Sequence, residues 1–151
     1  MKLAIADPAA MEALGGGLAR HCPTGTSLFL QGELGVGKTT LARGFLRALD
    51  YKDVVKSPTF TLVESYDLGG RRIYHFDLYR LTNPRALEEL GFRDYFDGEA
   101  LALVEWPEHA AGRLGTGDIL VRIAYAPSHR AVVLEGQTLG GRAVLNQLSF
   151  P

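Results

Sequence analysis

Eight consecutive residues, Gly32-Glu33-Leu34-Gly35-Val36-Gly37-Lys38-Thr39, fit the pattern G-x-x-x-x-G-K-[ST] without an exception. Glycines at these places let a backbone fold tightly around phosphate oxygens, with successive amide hydrogens turned inward. A helix that starts at Lys38 adds partial positive charge at the same spot. Lys38 itself brings a full positive charge to the β- and γ-phosphates of a nucleotide, and the Thr39 hydroxyl is the expected magnesium ligand. The nucleotide-contacting stretch therefore reads Leu34, Gly35, Val36, Gly37, Lys38, Thr39 and Thr40.

Magnesium takes few protein ligands and completes its shell with water and phosphate oxygens, so one acid at a strand end is enough to anchor it. Two acids qualify. Glu105 directly follows the apolar run Ala100–Val104, and Asp77 ends the strand-like run Arg72–Phe76. Either also reads simply as a surface acid after a buried strand. Strand logic makes Glu105 the better magnesium partner or water polariser and Asp77 the second acid.

The elements that must hold these groups follow from hydrophobic pattern and punctuation. Asp7-Pro8 is an N-cap followed by a proline suited to the first helical position, and predicts a helix to about Arg20, weakened by Gly15-Gly16-Gly17. Residues 26–31 read as a buried strand leading into the glycine loop, and residues 38–49 as an amphipathic helix leaving it. An extended segment over 54–66 contains Ser57-Pro58, and residues 67–70 read as a hairpin loop into the next strand. Asn83-Pro84 opens a short helix that Gly91 closes. Further strands are expected at 100–104, 119–125 and 131–134, and a last helix at roughly 142–148. This alternation predicts one α/β domain over residues 1–151: an open, mostly parallel sheet of the P-loop NTPase kind, flanked by helices, with an antiparallel edge hairpin.

The length of 151 residues suits a single core, and 46% hydrophobic against 22% charged residues suits a folded globule. No apolar run reaches the roughly 20 residues of a membrane-spanning helix, and the first residues lack a signal-peptide pattern. The lone Cys22 cannot form an internal disulfide, which fits a cytoplasmic setting. Net charge is −1 and the arginines are scattered, so a partner is expected to hold most of any RNA substrate.

A guanine-reading Asn-Lys-x-Asp motif is missing, because Asn83 and Asn146 are followed by Pro and Gln, which disfavours a GTPase. A small metabolite kinase shares the P-loop, although only Arg80, Arg85 and Arg93 offer themselves for a lid. A nucleotide-dependent switch is equally compatible with these residues. Beyond the P-loop, the blocks VKSPTFTLVESY (55–66), YHFDLYRL (74–81), ELGFRDYF (89–96) and LVEWPE (103–108) follow it in order. Together the chain resembles the TsaE family, the ATPase subunit of the bacterial machinery that makes threonylcarbamoyladenosine in tRNA beside the anticodon.

The resemblance implies ATP and Mg2+ as cofactors and a complex with TsaB and TsaD, with tRNA reached through that complex and slow hydrolysis by the subunit alone. It implies metal roles for Thr39, Glu105 and Asp77, and catalytic roles for Lys38, Asp77 and Glu105. Trp106 and Arg130 fall beside the nucleotide. Residues 57–60 match a switch-like loop in which Thr59 faces the γ-phosphate. The helix after Asn83 and the aromatics Phe92, Tyr95 and Phe96 would offer a surface to TsaB or TsaD. The chain departs from the family pattern at Ala6-Asp7-Pro8, where a hydroxyl residue near the base is expected. His75 reads as a packed or hydrogen-bonded histidine rather than a base.

Overall fold

Leu28, Phe29 and Leu30 are consecutive and all buried, which requires a strand covered on both faces. The computed structural model, which describes residues 1–150, places them at the centre of a seven-stranded sheet. Numbered in chain order, the strands are β1 (Lys2–Ile5), β2 (Ser27–Gln31), β3 (Val63–Leu68), β4 (Arg71–Asp77), β5 (Ala100–Glu105), β6 (Ile119–Tyr125) and β7 (Arg130–Gly136). The helices are α1 (Pro8–His21), α2 (Lys38–Ala48), α3 (Arg85–Leu90) and α4 (Leu139–Gln147).

The sheet runs β1-β7-β6-β2-β5-β4-β3. Its centre is parallel, with β2 between β6 and β5, and β4 on the far side of β5. The expected antiparallel hairpin forms one flank, where β3 pairs with β4 through the two-residue turn Gly69-Gly70. Both glycines have positive φ, 59° and 78°, as a tight turn between right-twisted strands demands. The other flank is antiparallel as well, β6 with β7 and β7 with β1. The sequence pattern did not indicate β1, a strand of only four residues.

Side chains alternate across the sheet and feed two cores. Leu28 and Leu30 join Leu101, Leu103, Val121 and Ile123 beneath α1, α2 and α4. Phe29 points the other way and joins Phe76, Leu87, Phe92 and Val104 beneath α3 and the short turns that follow β4 and β5. Phe92, Tyr95 and Phe96, expected at a partner surface, belong to this second core. Phe92 is buried, Phe96 stacks on Phe76 with centroids 5.5 Å apart, and Tyr95 meets Tyr74 edge-on at 4.6 Å. Tyr95 and Phe96 are half-buried, so each packs on this core by one side and keeps the other towards solvent.

The glycines of α1 have a packing explanation. A Cβ on Gly15 would stand 2.1 Å from the Leu41 carbonyl oxygen in α2, and one on Gly44 would stand 2.0 Å from the Glu12 carbonyl oxygen in α1. The two helices touch backbone to backbone, and only glycine permits it. Asp7 caps α1 by accepting from the Ala10 amide at 2.8 Å, and Thr138 caps α4 in the same way through Gly141. The extended run expected over 54–66 is a strand only from Val63. Before it the chain is irregular: Pro58 has no amide to give a ladder, and Leu62 turns back to donate to the Pro58 carbonyl. No helix among the described residues is long and apolar enough to cross a membrane.

Candidate functional site

The glycine loop connects β2 to α2, so it lies at the carboxyl end of a central parallel strand, where open α/β sheets form their crevices. Gly37 caps α2 with φ of 128°, a conformation that side chains rarely adopt, and Met11 sits 3.2 Å from where its Cβ would be. The register then brings the two acids to the same end. Glu105 pairs with Leu30 across β2–β5 and with Asp77 across β4–β5, so both carboxylates flank the loop.

Both acids are buried, at 2% and 4% exposure, and both are held by hydrogen bonds. Thr39 Oγ1 donates to Glu105, 2.9 Å from Oε1 and 3.1 Å from Oε2. His75 Nε2 lies 2.6 Å from Glu105 Oε2, and Ser57 Oγ lies 3.3 Å from the same oxygen. Ser57 also donates to Asp77 Oδ2, while the Tyr79 amide donates to Asp77 Oδ1 at 2.9 Å. Ser57 thus bridges the two carboxylates from the irregular segment before β3, and Asp77 ties that segment down by donating its amide to the Leu62 carbonyl.

Lys38 is buried as well. Its Nζ donates to the loop carbonyls of Gly32 at 2.5 Å and Glu33 at 2.9 Å, and sits 4.2 Å from the Trp106 ring centre. Burial pushes its ammonium below the ordinary lysine range, while the carboxylates of Glu105, Glu108 and Asp77 pull it back towards the charged form. Trp106 reaches this place through a left-handed backbone, φ 58°, immediately after β5, and its ring is flanked by Tyr79 and His109. Such a conformation costs an ordinary residue of order 1–3 kcal/mol and is typical of sites held in place by their surroundings.

These groups line a cleft of about 390 Å³ walled by Leu34, Gly35, Thr40, Thr59, Tyr79 and Arg80. A second cavity of about 140 Å³ continues from Gly35, Gly37 and Thr40 to Ala6, Asp7, Pro8, Met11 and Arg130. Arg130 is therefore brought to the loop, where its Nε donates to the Val36 carbonyl at 3.1 Å. Its guanidinium lies over the Tyr125 ring, and the Tyr125 hydroxyl donates to the Leu34 carbonyl at 2.8 Å, so the β6–β7 end braces the loop from outside. Val36 is buried in the first core and lines the second cavity rather than the cleft.

Of the three arginines considered for a lid, only Arg80 reaches the cleft. Arg93 pairs with Glu88 instead. Sequence reasoning placed Ser57 in a switch-like loop but not between the two acids, and it missed Tyr125 and the contact of His75 with Glu105. His75 did leave a signal: it stands two residues before Asp77 on one strand, and so on the same face. Nothing local announces Tyr125 or the partners of Ser57, since both act across long stretches of chain.

The donor set fits magnesium with a nucleotide. A threonine hydroxyl and a carboxylate converge beside a loop whose amides suit phosphate, and all the side-chain donors are hard oxygens. No cluster of three or more His, Cys, Asp or Glu side chains arranged for a metal exists among the described residues. Magnesium does not require one, because phosphate oxygens and water complete its shell.

A family model described as threonylcarbamoyl adenosine biosynthesis protein TsaE matches residues 5–138. A Haemophilus influenzae protein named tRNA threonylcarbamoyladenosine biosynthesis protein TsaE is 46% identical over 132 residues, covering 87% of this chain and 84% of the relative. A Synechocystis protein of the same name is 43% identical over 112 residues, covering 72% and 71%. The crystal structure of Bacillus subtilis YdiB superposes with a TM-score of 0.84 at 27% identity, over 98% of this chain and 93% of that one.

Proposed function

The chain belongs to the TsaE family, whose members serve threonylcarbamoyladenosine biosynthesis in tRNA, and on that premise we propose that its cleft binds ATP with magnesium and hydrolyses the β–γ bond. The observation that carries this reading is the convergence of Thr39 and Glu105, 2.9 Å apart, beside the phosphate-binding loop. The loop amides and the start of α2 offer partial positive charge to the phosphates. Lys38 adds a full charge once its ammonium exchanges the Gly32 and Glu33 carbonyls for phosphate oxygens. Thr39 and Glu105 would hold a magnesium ion, which neutralises charge as it shifts to the leaving oxygen.

Asp77 is the second acid. Fixed by Ser57 and by the Tyr79 amide, it is oriented to bind the metal through water or to position the attacking water. Thr59 Oγ1 is buried without a partner in the cleft wall, which suits a group that receives a γ-phosphate oxygen. The second cavity, from Pro8 to Arg130, is the side on which an adenine would lie, with backbone rather than a hydroxyl residue at Ala6-Asp7-Pro8. A metabolite kinase draws no support from this geometry, since Arg93 is engaged with Glu88 away from the cleft.

TsaB and TsaD are the proposed partners, and hydrolysis is expected to be slow without them, because none of the hydrogen bonds to Glu105 or Asp77 comes from an arginine. The test is the rate of phosphate release with magnesium, measured with and without TsaB and TsaD. Stimulation by the pair, lost in Glu105→Ala, supports the reading. Fast hydrolysis by the isolated chain, indifferent to both proteins, contradicts it.

A further inference from the structure

We propose that His75 positions Glu105 in the cleft, holding one carboxylate oxygen from within the sheet through an Nε2–H bond so that the other is presented to Thr39. This deepens the reading of Glu105 as a magnesium-side acid and rests on it.

The imidazole is wholly buried, at 0% exposure, and its Nε2 approaches Glu105 Oε2 at 2.6 Å. Its Nδ1 is buried with no hydrogen-bond partner. These two facts favour a proton on Nε2. A proton on Nδ1 would be a buried donor with nothing to accept it, and would leave the Nε2 lone pair facing a carboxylate oxygen. A proton on Nε2 makes a charge-assisted bond and leaves only an acceptor lone pair unmatched. Burying a ring nitrogen without a partner costs free energy that a phenylalanine or leucine in the same strand would not incur. The one local return for that cost is the bond to Glu105.

The other two donors to Glu105 cannot serve as its fixed anchor. Thr39 stands on the first turn of α2, and its hydroxyl is the group that the metal needs. Ser57 lies in the irregular segment before β3 and is shared with Asp77. His75 is carried by β4, paired to β5 on one side and β3 on the other, and sits opposite Leu103, two residues before the Asp77–Glu105 pair. An anchor built on a strand inside a sheet holds a ligand more closely than one built on a loop. Oε2 takes the short bond from His75, and the Thr39 hydroxyl lies nearer to Oε1, at 2.9 Å, than to Oε2, at 3.1 Å. His75 is wholly buried and does not line the cleft, so it acts through Glu105 and is a positioning residue.

The experiment has two parts. In the protein without nucleotide, long-range 15N–1H correlations of the imidazoles report tautomers, and the His75 signals among the four histidines are those lost in His75→Gln. The Nε2–H form is expected, and an Nδ1–H form overturns the proposal. Second, Mn2+ is titrated by electron paramagnetic resonance in the presence of a non-hydrolysable ATP analogue. His75→Phe is expected to raise the half-saturating Mn2+ concentration roughly 10- to 100-fold, as loss of an outer-shell partner does. His75→Gln, whose amide nitrogen can stand where Nε2 stands, is expected to recover most of that loss. Binding of the analogue without metal should be unchanged in both, which separates positioning from general damage to the fold. If His75→Phe fails to fold, His75→Asn replaces it, because its amide stops at the place of Nδ1; the same loss is expected. Unchanged Mn2+ affinity in the folded variant overturns the proposal while leaving the nucleotide site standing. Absence of Mn2+ binding by the wild-type protein sinks the ATP–magnesium reading, and this proposal with it.

Discussion

Gly15 and Gly16 are neighbours in α1, yet alanine at the two positions should act in opposite directions. At Gly15 the new Cβ would lie 2.1 Å from the Leu41 carbonyl oxygen and 2.9 Å from the Phe45 amide nitrogen. Both are backbone atoms of α2, so no rotamer change relieves the clash. Reaching an ordinary contact of 3.4 Å requires α1 and α2 to separate by 3.4 − 2.1 = 1.3 Å at this point. Overpacking of that kind costs about 1–3 kcal/mol. Alanine in place of glycine within a helix returns about 1 kcal/mol through backbone entropy. With the clash at the upper end, Gly15→Ala should lose about 2 kcal/mol. In a chain of this size that lowers the Tm by about 4–8 °C. At Gly16 the nearest atoms are the end of the Arg20 side chain at 3.4 Å and the Ala48 Cβ at 3.5 Å, so the entropy gain stands almost alone. Gly16→Ala should therefore be neutral to stabilising by up to about 1 kcal/mol. The separation also bears on the second cavity, because α1 and α2 both begin there through Pro8, Met11 and Gly37. Thermal and urea unfolding of the two variants provide the assay. Equal effects, or a Gly15→Ala variant more stable than wild type, would refute the backbone-contact explanation.

Cys22 supplies two further predictions. Burial pushes its thiol up to about 12, so a thiol reagent at pH 8 should label the unfolded chain promptly and the native chain only through unfolding; rapid native labelling would contradict the burial. The raised value also sets the sign of an alkaline effect: from pH 9 upward the unfolded chain releases a proton that the folded chain keeps, so stability falls as pH rises towards 12. Tyr66, held at about 12 mainly by burial, acts in the same direction from pH 10. The loss between pH 9 and 11 should be shallower in Cys22→Ala, and an identical pH slope would refute this assignment.

How much of this was legible beforehand depended on how local each feature is. The phosphate loop, β2 and α2 were readable because the chemistry needs strand, glycine loop and helix in direct succession, and the spacing to Lys38 and Thr39 is fixed by it. Glu105 was readable because it terminates an apolar run. Its partners were not: the contact of His75 with Glu105 exists only once β4 and β5 pair in the register Asp77↔Glu105. Tyr125 and Arg130 brace the loop only because β6 and β7 fold back beside it, 91 and 94 residues away along the chain. The short β1 shows too few residues for a periodic pattern, although its pairing to β7 carries Asp7 and Pro8 to the cavity. The glycine triplet misled in an instructive way, since helix propensity counts it as weakness whereas the packing of α1 on α2 depends on Gly15. Likewise Phe92, Tyr95 and Phe96 offer the same composition to a partner surface and to a core, and only the fold shows that Phe92 is buried while Tyr95 and Phe96 rest half-buried against Phe76.

The central claim is that this cleft is the site for ATP with magnesium, and a calorimetric titration of the wild-type protein and Lys38→Ala with ATP and magnesium tests it most directly. The account predicts saturable one-to-one binding to the wild type. It predicts no measurable binding to a Lys38→Ala variant whose circular dichroism and unfolding midpoint show an intact fold. Equal affinity in the two proteins would contradict it, because the ammonium buried between the loop carbonyls and Trp106 would then have no part in holding the phosphates.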